Sequence, residues 1–285
     1  MSQKSYDGSA SLYLIPTPIG NLDDITVRAL KTFEMVDFVL CEDTRETGKL
    51  LSKYNIKKKL VSCHEFNEDK VKKYVVDELR KGLNIGLVTD QGTPIVSDPG
   101  YLVAREVISE GLNVISLPGA TAFVPALTSS GIQPSPFLYY GFLNVKNGKQ
   151  KKELERLKKL PYTIIFYEAP HRIKNTLQNI LDVFGDREMA IAREISKIHE
   201  EICRDKISNL INIVDGMKGE FVLIVDGCHV EVDYSDLDII EHVKIYVEDG
   251  MSEKDAVKLV AIDKKNKYSK NEIYNASLNI KKLLG

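Results

Sequence analysis

The sequence predicts an α/β protein of two domains, with a largely parallel amino-terminal sheet, a mixed second sheet and a small helical module at the carboxyl end. Three observations predict it. Short apolar runs alternate with helical apolar spacing through roughly the first 120 residues, the pattern of a parallel sheet covered by helices. Residues 131–136 (GIQPSP) then form a linker into a second group of strand-like runs. Finally, residues 227–249 carry seven Asp or Glu against one Lys and precede a lysine-containing helical tail. The expected boundaries are 11–131 and 132–230 for the two α/β domains, 231–250 for an acidic linker and 251–285 for the helical module.

In chain order, residues 11–15 read as a strand. A stiff loop with Pro16, Pro18 and Gly20 follows, then a helix over 25–34 that Asp23 or Asp24 can cap. Residues 36–40 form the next strand, ending in Cys41, Glu42, Asp43, Thr44 and Arg45, and a helix runs on through Leu50, Leu51 and Tyr54. Charge at a strand end is costly to bury unless paired, so this group rims a cleft or forms a local ion pair. Strand 60–63 leads to His64, a proton-acceptor candidate because the reference value for histidine is near neutrality, with hydrogen bonding or packing as the plainer role. A helix over 70–81 delivers the chain to strand 85–89.

The stretch 86–100, GLVTDQGTPIVSDPG, organises the rest. An apolar run ends at Asp90, glycine, proline and hydroxyl residues follow, and a helix begins at 102. In open α/β sheets such strand-exit loops hold small ligands. Glycine lets backbone approach a ligand closely, and the two prolines restrict the loop before anything binds. Strand 114–117 empties into a further loop, 118–122, and a helix over 122–130. The second half offers strands at 137–142, 163–167, 188–193 and 221–225, with helices at 149–160 and 173–181. Its charged segment 193–201 reads as a loop or short helix. Residues 146–159 hold seven Lys or Arg against two Glu, either a solvated helix or a phosphate-facing wall. In the tail, Ala256, Leu259, Val260, Ile273 and Tyr274 can pack helices, beside Lys264, Lys265, Lys267 and Lys270 as a second basic patch.

Composition excludes several classes. Apolar residues at 43% and charged residues at 28% suit a soluble globular protein, and a net charge of -2 gives no global nucleic-acid signal. Cys41, Cys63, Cys203 and Cys228 lack metal-ligand spacing and suit a reducing compartment, so no metal is expected. The polar first ten residues are unlike a secretory signal, and no apolar run matches a bilayer span; a cytoplasmic protein without membrane contact is the expectation. The dinucleotide glycine fingerprint and the Walker lysine are both missing.

Several ordered blocks carry a resemblance. They are 14–26 (LIPTPIGNLDDIT), 42–45 (EDTR) with Thr47, Leu50 and Leu51, 90–100, 117–120 (LPGA), 166–172 (FYEAPHR), Arg193 and Glu194 with Lys197 and 199–201, and Gly219 with Glu220. Across about residues 12–274 the chain resembles the small-subunit ribosomal RNA methyltransferases that act on a ribose 2'-hydroxyl of a decoding-site cytidine, within the tetrapyrrole methylase-like superfamily. The resemblance implies S-adenosyl-L-methionine bound in the cleft between two α/β domains, and a homodimer. It implies small-subunit ribosomal RNA, in an assembled or partly assembled 30S subunit, as the partner. Gln91 departs from the family, whose members often carry a small residue there.

Under that resemblance the strand-exit loops hold the methyl donor. The expected contacts are Pro18 and Gly20, then Asp90, Gly92, Thr93, Ile95 and Val96, then Pro118, Gly119, Ala120, Thr121 and Ala122. Tyr167, Glu168 and Ala169 close the opposite side, and Asp98 reads equally as a helix cap. For proton handling and substrate placement the candidates are Glu42, Asp43 and Arg45, with Glu194, Lys197, His199 and Glu200 as rivals from the second domain. The rival cluster reads alternatively as an interdomain ion-pair network. Two other functions stand beside this one: a tetrapyrrole-like small-molecule methyltransferase, which needs a cavity wide enough for a macrocycle, and an RNA-binding assembly factor with little catalysis.

Overall fold

The computed structural model describes residues 3–5, 7–229, 237–248, 251–263, 268, 269 and 272. The chain forms two compact units, Met1–Cys228 and His229–Gly285, and both sheets belong to the first.

Strands β1 (Ser11–Leu14), β2 (Phe38–Cys41), β3 (Lys59–Ser62), β4 (Ile85–Leu87) and β5 (Asn113–Ser116) pair in the order β3-β2-β4-β1-β5, every pair parallel. Helices cover both faces, so β2 and β4 are buried throughout and read as unbroken apolar runs. On one face α1 (Val27–Met35) and α2 (Thr44–Lys53) bring Ala29, Phe33 and Leu51 against Ile15, Val39 and Cys41. On the other, α3 (Glu68–Arg80) and α4 (Tyr101–Ser109) pack Val75, Leu79, Val103 and Val107 on Leu12, Leu40 and Leu87. Because β4 inserts between β1 and β2, the connections leaving β1 and β4 depart to opposite sides. That reversal opens a crevice at the carboxyl ends of the two strands. Thr26, rather than Asp23 or Asp24, caps α1: its Oγ1 accepts from the Ala29 N–H at 3.0 Å. The two aspartates lie in a 3-10 turn, Leu22–Asp24, whose own cap is Asn21.

The second sheet, β6 (Phe137–Phe142), β7 (Thr163–Glu168), β8 (Glu188–Arg193), β9 (Glu201–Lys206) and β10 (Phe221–Val225), runs β6-β7-β10-β8-β9. Only β6 and β7 pair in parallel. Helices α6 (Asn147–Leu157), α7 (Ile173–Phe184) and α8 (Ile207–Ile213) cover one face around Phe166, Leu177 and Leu223. The other face meets α5 (Phe123–Ser129) and the loops of the first sheet: Ile19, Ala126 and Leu127 pack on Ile165, Ala192 and Val222. This shared apolar layer fixes the first sheet's exit loops against the second sheet. Strand β9 begins where the sequence reading ended a charged loop, and α8 follows it. Its charges suit an edge, where repulsion discourages further pairing.

In the second unit, α9 (Ile239–Glu248) and α10 (Glu253–Asp263) join through Val243, Ala256 and Val260, all fully buried. Helix α9 therefore corrects the expected linker at 231–250. Ile239, Ile240, Val243 and Val247 give it an apolar face that the acidic count concealed. Lys264, Lys265, Lys267, Lys270, Ile273 and Tyr274 lie outside the described residues. Among the described residues, no helix is long and apolar enough to cross a membrane, and no His, Cys, Asp and Glu group is placed to hold a metal.

Candidate functional site

Three exit loops of the first sheet are tied to one another. Thr17 and Gly92 exchange backbone hydrogen bonds at 2.9 and 3.0 Å, joining the loops after β1 and β4. Thr93 Oγ1 donates to the Ala120 carbonyl at 3.0 Å, joining the loops after β4 and β5. Within the β4 loop, Ile95 (φ 77°) and Ser97 (φ 68°) hold left-handed backbone, which is unfavourable for a β-branched side chain and marks a constrained segment. Ser97 Oγ lies 2.7 Å from the Tyr139 hydroxyl on β6, so the loop is pinned across the crevice. Gly141 permits that approach: it sits at φ 82°, and a Cβ there would come 2.8 Å from Ser97 Oγ.

Between these loops and the second sheet lies a cavity of about 510 Å³, within the range of small-molecule sites. Ile19, Val96, Phe142, Ile195, Phe221 and Val222 give it apolar walls. Tyr167 adds an aromatic flank, set edge-on to Tyr139 at 5.2 Å and Phe142 at 5.6 Å. Polar groups at its lining are Gln91, Thr93, Ser97, Asp98, Thr121, Glu168, His171 and Glu220. A second cavity of about 570 Å³ shares Ile19, Thr121 and Ile195 with the first.

Of the expected donor contacts, Gly92, Thr93, Val96, Thr121, Ala122, Tyr167, Glu168 and Ala169 line the 510 Å³ cavity. Gly119 and Ala120 line the second one, with Thr121 again. Pro18, Gly20, Asp90, Ile95 and Pro118 line neither. The open side of Gly20 is filled by the Lys197 stem, and Asp90 Oδ1 accepts from the Asp43 N–H at 3.1 Å. Glu168 faces inward without a free carboxylate. It accepts from the Ala169 N–H at 2.8 Å and from Thr176 Oγ1 at 2.5 Å, and pairs with Arg172 at 3.3 Å.

The expected proton-handling residues separate by role. Glu42, Asp43 and Arg45 stand together after β2 but line neither cavity. Asp43 caps α2 and binds Arg45 through both oxygens at 3.1 and 2.6 Å, which holds its carboxyl down at about 2. In the rival cluster, Lys197 Nζ bridges Glu194 at 2.9 Å and Glu220 at 2.8 Å. Burial pulls the Lys197 amine down, but its bonds to Glu220 and Glu194 prevail and raise it. Burial likewise pushes Glu194 up, and the Glu220 N–H and Lys197 outweigh that and lower it. Glu200 reaches the second cavity while accepting from the Ser196 N–H at 2.6 Å, and His199 is exposed and lines neither.

Asp98 is not the expected cap of α4. Glu68, buried and reaching across from α3, takes the Gly100 and Leu102 N–H groups at 2.8 and 2.9 Å. Asp98 instead lines the cavity, where burial, then Glu42 and Asp90, push its carboxyl from the ordinary 3.8 up to about 7. Burial also raises Glu42 and Asp90. Phe142, His171, Ile195, Glu220 and Val222 are among the lining residues that sequence reasoning did not assign. His171 and Glu220 lay inside quoted blocks, whereas Ile195 and Val222 carried no signal beyond being apolar.

A model of the Tetrapyrrole (Corrin/Porphyrin) Methylases matches residues 11–211. The chain is 45% identical to the Ribosomal RNA small subunit methyltransferase I of Bacillus subtilis (strain 168), across 96% of this chain and 97% of that protein. It is 44% identical to the protein so named from Vibrio cholerae serotype O1, across 78% of each. Among solved structures, uroporphyrin-III-C-methyltransferase from Thermus thermophilus is similar at a TM-score of 0.54 and 18% identity, covering 76% of this chain and 94% of that one. Diphthine synthase is similar at 0.57 and 14%, covering 76% and 90%. At these identities the two structures bear on the fold alone.

Proposed function

The chain belongs to the ribosomal RNA small subunit methyltransferase I family, within the tetrapyrrole methylases, and on that premise we propose that its 510 Å³ cavity holds S-adenosyl-L-methionine beside a ribose 2'-hydroxyl of a decoding-site cytidine in 16S ribosomal RNA. One observation carries the reading. Blocks far apart in the sequence converge on one cavity: Gly92 and Thr93 from the first sheet, and Tyr167 to His171 with Glu220 from the second.

The lining suits the donor. Among the described residues no lysine or arginine lines the cavity, so a cationic ligand meets no like charge there. The aliphatic and aromatic walls suit an adenosine, and Gly92 leaves backbone accessible. When bound, the donor supplies a methyl group on a sulfonium with its leaving group already in place, so the carbon chemistry requires no metal. The exit loops orient the donor, while Tyr167, Phe142 and Ile195 exclude water from the reacting atoms.

The rest of the RNA is held outside the cavity. Lys146, Lys149, Lys152, Arg156 and Lys159, on and beside α6, are exposed and form no salt bridge among the described residues. Arg45, with its side chain 83% exposed and its guanidinium oriented by Asp43, adds a phosphate contact beside the loop of Asp90. Two copies act together, extending the basic surface over a folded RNA. The setting is the cytoplasm, in keeping with four cysteines that are all free thiols.

The test incubates the chain with labelled methyl donor and either naked 16S RNA or assembled 30S subunits, then maps the product. Donor-dependent label on a cytidine ribose supports the reading. Absence of transfer to every assembly state, with donor and RNA both bound, favours the assembly-factor alternative.

A further inference from the structure

We propose that Asp98 is the catalytic proton acceptor for the ribose hydroxyl: it lines the 510 Å³ cavity, sits in the constrained β4 loop, and has no hydrogen-bond or ion-pair partner among the described residues. This rests on the reading of the cavity as a ribose methylation site.

The other carboxylates at the lining and two of its hydroxyls are committed. Glu168 is held by Ala169, Thr176 and Arg172, and Glu220 by Lys197. Thr93 donates to Ala120, and Ser97 is bonded to Tyr139. His171 is an exposed residue of the lining, whereas Asp98 is the more enclosed of the two. The left-handed backbone at Ser97 and its bond to Tyr139 limit how far the adjoining Asp98 can swing.

The surroundings prepare this carboxylate for the task. Glu42 faces it from the end of β2, Asp90 from its own loop, and the Tyr139 and Tyr167 phenols from β6 and β7. None of these is a cation. Burial and the two neighbouring carboxylates hold Asp98 near 7, so at neutral pH a substantial fraction is ionised and is a far better base than an ordinary aspartate. In the transfer, the ribose oxygen forms its bond to the methyl carbon, and the carbon–sulfur bond breaks with its electron pair left on sulfur. The hydroxyl proton passes to the Asp98 carboxylate. The products are the 2'-O-methyl ribose, S-adenosylhomocysteine and a neutral Asp98, which then releases its proton to water.

The experiment measures single-turnover methyl transfer to 30S subunits against pH, with donor affinity by calorimetry, for the wild type, Asp98→Asn, Asp98→Glu and Glu42→Gln. The wild-type rate is expected to rise with pH and level off above about 7. Asp98→Asn should lose about 100-fold or more, the low end for a general base, and lose the rising limb, with donor affinity within about threefold. Asp98→Glu should recover part of the rate and keep a limb. Glu42→Gln should move the limb to lower pH, because one carboxylate opposing ionisation is gone. A smaller loss in Asp98→Asn, a limb that survives in it, or a tenfold weaker donor affinity at unchanged saturated rate overturns the proposal. The last result would make Asp98 a contact to the donor's charge. A wild-type chain that binds donor and subunits yet methylates no ribose overturns the methyltransferase reading, and this inference falls with it.

Discussion

Two groups of carboxylates stand at strand ends of the first unit, and only one is neutralised. Glu194, after β8, and Glu220, before β10, share the Lys197 ammonium. After β2 and β4, Glu42, Asp90 and Asp98 crowd together while the nearby Arg45 is committed to Asp43. The consequence is a wide spread for one residue type: Asp43 is held at about 2 and Asp98 at about 7. A carboxylate given a cation becomes a brace that stays ionised. One denied a cation and partly buried becomes a group that can gain and lose a proton near neutrality. Density of charge in the sequence is similar in the two places, so the distinction lies in the pairing.

The largest effect is expected where a carboxylate is both buried and fully used. Glu168→Ala strands the Arg172 guanidinium, Thr176 and the Ala169 N–H. It should cost about 3 kcal/mol and lower Tm by roughly 6–12 °C. A Tm within 2–3 °C of wild type would place Glu168 outside the scaffold. Next comes Asp98→Asn, whose effect on stability has the opposite sign. Between the ordinary 3.8 and about 7 the folded chain keeps the Asp98 proton while the unfolded chain releases it. Wild-type stability therefore falls as pH rises through that window and is level above it. The asparagine variant escapes this loss. It should be more stable above pH 7 by about 2 kcal/mol after allowance for solvent screening, with the gain fading toward pH 4. Denaturant unfolding at several pH values checks this, and a gain that is constant with pH would mean that packing, not ionisation, produced it.

Much of this was legible in the sequence, for physical reasons. Strands β8 and β10 fall on the expected residues, because their buried positions print apolar runs. The glycine-proline loop at 86–100 showed its position at a strand exit. What it could not show was the fate of Asp98, which depends on Glu42 from another strand and on Glu68 having taken the α4 N–H groups. Strand β9 was hidden because its own residues are mostly charged, and α9 because an acidic count says nothing about which face the acids occupy. The open face of Gly20 read as room for a ligand, yet it receives the Lys197 stem from the second sheet's loop. The misses at Asp98 and Gly20 are contacts between segments distant in sequence.

The exposed partner of the comparison should matter to RNA and not to folding. Arg45→Ala removes a side chain that is 83% exposed, so Tm should stay at the wild-type value. The KM for 30S subunits should rise by about tenfold, and the salt dependence of RNA binding should lose about one unit of slope. An unchanged salt slope would remove Arg45 from the RNA surface.

The smallest effect belongs to the neutralised cluster and tests whether its charge or its bulk is what counts. Lys197→Met keeps an unbranched stem over Gly20 and deletes the ammonium between Glu194 and Glu220. In the wild type Glu194 is held below its ordinary 4.5, so the stability it contributes is present above that value and is lost as pH falls through the lower folded one. The methionine variant lacks that contribution. It should be less stable by about 1 kcal/mol at pH 8, the modest figure set by a pair that is partly solvated. As pH falls through the lowered Glu194 value of the wild type, that contribution disappears and the two chains should converge. Equal destabilisation at pH 3.5 and pH 8 would mean that Lys197 serves through its stem, and the contrast between neutralised and unneutralised carboxylates would then fail at its better-paired end.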